Sequence, residues 1–144
     1  MRIIPYAEEY RDEMMKMVRS AKKALGREPR LNEDLLDVRG NYLDKGDMFF
    51  LAVEDGRVLG CGGFSREPGT DEAFVHRLYV RPDKKRRGIG SALLCAVEEA
   101  MRERAVKISR VHMGAPREQW FESYSFYPAR GYEECAPRYM WKKL

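Results

Sequence analysis

Between Leu78 and Leu94 the chain reads Leu-Tyr-Val-Arg-Pro-Asp-Lys-Lys-Arg-Arg-Gly-Ile-Gly-Ser-Ala-Leu-Leu. A β-branched and aromatic strand runs into a basic loop with two glycines, and then into an amphipathic helix. That order builds an anion site. The first turn of a helix has backbone N–H groups without intrahelical acceptors and carries the positive end of the macrodipole. Glycines beside it remove side chains that would hold a phosphate away from the backbone. Lys84, Lys85, Arg86 and Arg87 raise the local potential for a polyanion. The chemistry this stretch could serve is capture of a phosphorylated ligand. For proton transfer near neutral pH the chain offers its two histidines, His76 and His112.

Other chemistries fit less well. Cys61 sits in Gly60-Cys61-Gly62-Gly63 and invites a nucleophile reading, but no histidine lies near it in sequence. Cys95 falls inside the helix that follows the basic loop. The three cysteines are an odd, widely spaced set without metal-ligand spacing, so no metal is expected. They read as reduced, mostly buried thiols of a cytoplasmic protein. The N-terminus leads straight into charged sequence, and no apolar run approaches the ~20 residues that span a bilayer, so no membrane partner is expected. The net charge of +4 comes from 27 basic against 23 acidic residues and does not call for nucleic acid. That partner would need Lys84–Arg87, Arg102, Arg104, Lys107 and Arg110 to form one continuous basic face with stacking aromatics.

The elements that must position these residues follow from periodicity and turn signals. With 144 residues the chain suits a single domain over 1–144. A first strand is expected at Arg2–Pro5 and a helix from Glu8 to Ala24, ended by Gly26. A second helix is expected from Asn32, as N-cap, to Leu43. Asp55-Gly56 between two apolar runs predicts a hairpin of 48–53 with 57–64. A strand at 72–81, a helix from Ile89 to about residue 104 and a strand at 108–113 follow. A helix then begins near Pro116 and ends before Gly131, with one or two strands in 132–143. The fold class is α/β (α+β), with a mixed sheet and helices on both faces.

Placed in this order, the chain resembles the GNAT superfamily of N-acetyltransferases. The family's acyl-CoA motif, Arg/Gln-x-x-Gly-x-Gly/Ala after a Val-x-Pro-like strand end, is matched by Val80-Arg81-Pro82 and Lys85-Arg86-Arg87-Gly88-Ile89-Gly90. Lys85 departs from it, keeping a cation without the planar fork. Tyr127-Pro128-Ala129-Arg130-Gly131-Tyr132 is similar to the family's Tyr-x-x-x-Gly-Phe signature. The resemblance implies a mostly antiparallel sheet of six to seven strands and acetyl-CoA as cosubstrate. It also implies direct transfer of acetyl to a primary amine, most readily that of a small molecule, with a protein or peptide acceptor and a non-catalytic acyl-CoA sensor as alternatives.

The resemblance also assigns roles. Arg86, Arg87, Gly88, Ile89, Gly90 and Ser91, with Lys85, answer the phosphates. Leu78, Tyr79 and Val80 line the pantetheine arm, which pairs with the strand as an added strand. The side chains of Leu78 and Val80 are expected on the same face as Phe74 and His76. Tyr127 matches the general acid for the departing thiolate. The family's usual base, a glutamate, is replaced by Phe74, so His76 is the preferred base and His112 a second candidate. Pro128 signals that the helix ends near Tyr127. The first two helices, Tyr10 to Leu43, are expected to build the acceptor pocket. Homodimers are common in the family, and Tyr139-Met140-Trp141 is either interface or core.

Overall fold

A computed structural model gives the placement of residues 1–144. Seven strands form one sheet: β1 (Arg2–Pro5), β2 (Met48–Glu54), β3 (Arg57–Arg66), β4 (Glu72–Val80), β5 (Ile108–His112), β6 (Glu133–Ala136) and β7 (Tyr139–Lys143). Their order across the sheet is β1-β2-β3-β4-β5-β7-β6, and every neighbouring pair is antiparallel except β4 with β5. The helices are α1 (Arg11–Ala24), α2 (Val38–Asn41), α3 (Ile89–Glu103) and α4 (Phe121–Phe126). No helix is long and apolar enough to cross a membrane.

Two apolar layers sandwich the sheet. On the front, Met14 and Val18 of α1 close with Leu35, Val38, Phe49, Leu51 and Tyr79. On the back, Leu94, Val97 and Met101 of α3 pack on Phe64, Val75, Val111 and Met140, with Leu93 and Ile89 on Ala52 and Leu59. Alternation along β2 sends Phe49, Leu51 and Val53 forward and Phe50 and Ala52 backward. Within the C-terminal triplet, Met140 is core while Tyr139 and Trp141 stay half-buried on the other face.

Several elements differ from the sequence reading. The expected helix over Asn32–Leu43 is instead a 3-10 turn at Glu33–Asp37, the four residues of α2 and another 3-10 turn at Leu43–Lys45. Asn32 does not cap it, because its Oδ1 accepts from Lys22 Nζ at 2.7 Å. The Asp37 carboxylate instead accepts from Gly40 N at 3.0 Å and starts α2 afresh. The helix expected from Pro116 is α4 alone, flanked by 3-10 turns at Arg117–Gln119 and Pro128–Arg130. Of the thiols only Cys61 is buried; Cys95 is exposed on the solvent side of α3, and Cys135 is exposed like every residue of β6.

Candidate active site

β4 and β5 pair only where Glu72, Ala73 and Phe74 face Ile108, Ser109 and Arg110. Beyond that point β5 stays with β7 and parts from β4. A cavity of about 780 Å³ fills the gap. Its walls are β4 from Phe74 to Val80, the loop and first turn of α3, the end of β5 and the segment from Trp120 to Arg130. Past Phe74, β4 therefore presents an unpaired strand edge to the cavity, with N–H and C=O groups open to an extended ligand.

A β-bulge in β4 decides which side chains face which layer. Tyr79 lies opposite Cys61 and His76 opposite Gly63, so Arg77 and Leu78 together oppose Gly62. Arg77 takes a left-handed backbone, φ +54°. Its Nε and Nη2 donate to the Asp34 carboxylate at 3.0–3.2 Å, and its carbonyl accepts from Cys61 Sγ at 3.2 Å. Asp34 also accepts from the Tyr42 hydroxyl at 2.5 Å. Burial alone would push the Asp34 carboxyl up; the hydrogen bonds from Arg77 and Tyr42 outweigh it and hold the group below the usual carboxylate range. The bulge overturns one expectation. Leu78 and Val80 pack backward on Ile89 and Leu93, whereas His76 meets Tyr42 on the front. One extra residue has reversed the alternation between them.

At the donor end, Arg86 (φ +63°) and Gly88 (φ +81°) turn the chain into α3, with Gly88 as its N-cap. The N–H groups of Ile89, Gly90 and Ser91 belong to the open first turn. No atom lies within 4 Å of where a Gly88 Cβ would stand, so the approach to this turn is clear. A Cβ at Gly90 would sit 3.1 Å from the Phe126 ring, which explains the second glycine by packing. Lys85 donates to Glu122 at 2.6 Å across the cavity mouth. Arg130 donates to Ser91 Oγ at 2.8 Å and stacks over Phe126. Arg86 is on the cavity wall; Arg87, exposed, and Lys84, half-buried, lie outside it.

Tyr127 follows the last residue of α4 and keeps helical dihedrals although Pro128 stops the helix there. Its ring is buried between Phe126 and Tyr132, and its hydroxyl, on the cavity wall, has no hydrogen-bond partner within the chain. Burial, reinforced by Tyr79 and Glu98, pushes its pKa well above that of an ordinary phenol. His76 is half-buried; its Nε2 lies 2.7 Å from Ser65 Oγ. Burial, with Arg77 beside it, pushes its pKa down to about 4. His112 is exposed on the opposite wall and stacks on Tyr139 at 4.6 Å.

The sequence profile of the Acetyltransferase (GNAT) family matches residues 8–132. The chain belongs to the GNAT acetyltransferase family. Among curated relatives, a mycothiol acetyltransferase of Nocardiopsis dassonvillei is 34% identical over 90 residues, 60% of this chain and 26% of that protein. The chain thus spans about a quarter of that relative's length. In three dimensions it resembles a GNAT acetyltransferase of Staphylococcus aureus Mu50, with a TM-score of 0.87 and 20% identity, covering 99% of this chain and 98% of the other. It also resembles the PaiA N-acetyltransferase of Thermoplasma acidophilum crystallised with coenzyme A, with a TM-score of 0.75 and 19% identity over the full length of both.

For a GNAT protein the cosubstrate is acetyl-CoA, and the residues present fit it. An open helix start, an accessible turn at Gly88, and Lys85, Arg86 and Arg130 around it suit phosphates, while the free edge of β4 suits an extended arm. Two cavity residues had no signature in the GNAT motifs. Arg27, just past α1, lies 3.7 Å over the Trp120 ring and donates from Nε and Nη2 to the Gln119 carbonyl at 3.1 and 2.9 Å. Trp120 is one of several aromatics around α4, with Phe121, Tyr124 and Phe126. Nothing in spacing joins positions 92 apart, as Arg27 and Gln119 are.

Proposed function

We propose that this protein transfers the acetyl group of acetyl-CoA to a primary amine of a small molecule by direct attack, with both substrates in the cleft. The observation that carries the reading is Tyr127, a buried phenol whose hydroxyl opens on the cavity and is unclaimed by any other group of the chain. Acetyl-CoA supplies a thioester carbonyl. The open turn at Arg86–Ser91 and the ammonium of Lys85 bind its phosphates, and the backbone of Leu78, Tyr79 and Val80 orients the arm. The amine lone pair forms the new C–N bond and the C–S bond breaks. Tyr127, kept protonated by its raised pKa, offers its O–H to the charge developing on sulfur.

The proton on nitrogen leaves toward solvent. With its pKa near 4, His76 stays neutral at working pH, too weak a base to strip an ammonium ion. It serves instead as a neutral hydrogen-bonding group for the proton's path through water, so the amine binds already deprotonated. A basic peptide acceptor is less favoured, since Asp34, an acid that could have contributed to an acidic groove, is engaged by Arg77. The free thiols suit a cytoplasmic setting.

The test is thiol release from acetyl-CoA across small amines, peptides and aminated antibiotics, against an acceptor-free blank. Rapid release with one small amine supports the reading. Release only with peptides would replace the acceptor class, and acetyl-CoA binding without any release would favour a sensor.

A further inference from the structure

The front wall of the cavity carries positive charge without matching acid. Glu122 is the one carboxylate on the cavity lining, and it is bonded to Lys85 at the donor end. On the front, Arg77 is neutralised by Asp34 at 3.0 Å. Arg27 makes no ion pair: its hydrogen-bond acceptor is the Gln119 carbonyl, its flat face rests on Trp120, and the acid within its electrostatic reach, Glu122, is bonded to Lys85. Behind it, the buried Lys22 is likewise bonded only to neutral oxygens, Arg30 O at 2.6 Å and Asn32 Oδ1 at 2.7 Å. Burial lowers the Lys22 pKa, and the charges of Arg77 and Arg27 lower it further. Of these three cations only Arg77 is in contact with a carboxylate, Asp34, and the acid nearer Arg27, Glu122, is taken up by Lys85. A half-buried guanidinium without a counter-ion is unfavourable, and a planar fork on an aromatic ring suits an oxyacid.

Arg27 also lies close to the proposed reacting atoms. Arg27, Tyr79 and Tyr127 line the same cavity of about 780 Å³. A group bound at Arg27 therefore sits only a short chain away from an amine placed against the thioester. We infer that the acceptor is a small amine bearing an anionic oxyacid group close to its nitrogen, and that Arg27 is the residue that receives this group. This rests on the transferase reading above. The same cations repel polyamines and other polycationic amines.

The test compares matched acceptors in thiol release: an amino acid with its carboxamide, and 2-aminoethyl phosphate with 2-aminoethanol. The two acids distinguish carboxylate from phosphate. The anionic member of at least one pair should have a kcat/KM about tenfold higher or more, expressed in KM, as one charge-assisted hydrogen bond provides. Arg27→Gln should bring the ratio close to one. Arg27→Lys, which keeps the charge and loses the fork, should retain part of it, and a merely structural role would not separate the two variants. Preference for the neutral members or for spermidine, or a ratio that survives Arg27→Gln, overturns the inference. Calorimetry on the coenzyme A-loaded protein gives a second readout, with an N-acetyl amino acid against its amide as probes. Tighter binding of the acid without turnover of any amine would sink the transferase reading and support the anion site. Equal binding, or none, would sink the anion site.

Discussion

The two ends of the cleft are built by different means. At the proposed donor end the groups offered to a ligand are backbone N–H groups of one short stretch, Arg86 to Ser91, made reachable by a left-handed turn at Gly88. At the proposed acceptor end they are side chains, Arg27 just past α1, His76 and Arg77 of β4, and Trp120, with the turn at Glu33–Asp37 bracing Arg77 from behind. Their ties run between positions far apart, such as Asp34 and Arg77, which are 43 residues apart. Backbone recognition by consecutive residues leaves a spacing that can be read. Recognition by side chains gathered from distant elements leaves none.

The sharpest way to break this contrast is at Gly88. Gly88→Glu forces a side chain into a left-handed backbone and sets a negative charge where phosphates are proposed to bind. Acetyl-CoA affinity should fall by on the order of a hundredfold or more, since like charges in contact cost several kcal/mol. Calorimetry, or loss of acetyl-CoA protection against heating, measures it; retained binding would show that the donor end is elsewhere. Next comes the junction of the two ends. Tyr127→Phe should lower kcat by about ten- to a thousandfold with little change in acetyl-CoA affinity. Because the phenol's pKa is raised, wild-type activity should show no alkaline fall near pH 10 from this group.

A change confined to the acceptor end should appear in stability first. Asp34→Ala leaves the Arg77 guanidinium, 30% exposed, without its partner. The expected loss is about 2–3 kcal/mol, below the value for a fully buried pair, read by urea unfolding while acetyl-CoA protection persists. If donor affinity fell as far as stability, the two ends would not be separable.

The smallest effect is on pH dependence. His76 has its pKa depressed from 6.5 to about 4, so its contribution to stability is complete above 6.5 and is lost as pH falls toward 4. Asp34, also depressed, contributes above the ordinary carboxylate pKa and is lost only as pH falls further, through its folded value. Melting temperature should therefore decline on acidification below pH 6.5, and His76→Gln should flatten that first part of the decline. An unchanged profile would mean that His76 is not held neutral by the fold.

Much of the frame was legible in residue order. The Asp55-Gly56 hairpin, the helix from Ile89 and the unusual loop before it all stand near their expected places, because each depends on neighbours in the chain. The region from Asn32 to Leu43 was misread as one helix. Its apolar residues do recur at helical spacing, but Asn32 bonds Lys22 and Asp37 begins a new turn, and these contacts outweigh periodicity. Pro128 gave the end of α4 correctly, yet its start was placed too early. The front-wall cation Arg27 was not legible at all, since its importance lies in Trp120 and Gln119, which only folding brings near.

The bulge at Arg77 bears on inheritance as well as shape. Residues ahead of it, Phe74 and His76, and residues behind it, Leu78 and Val80, look into opposite halves of the molecule although they are consecutive in one strand. Substitutions on one side are thereby insulated from the packing on the other, and a lineage can vary Phe74 and His76 without repacking Leu78 and Val80 against α3. The insulation rests on one surplus position: were β4 to pair with β3 without the bulge and at its present length, Leu78, Tyr79 and Val80 would each turn to the opposite face, so the bulge rather than the composition of β4 assigns each residue its layer.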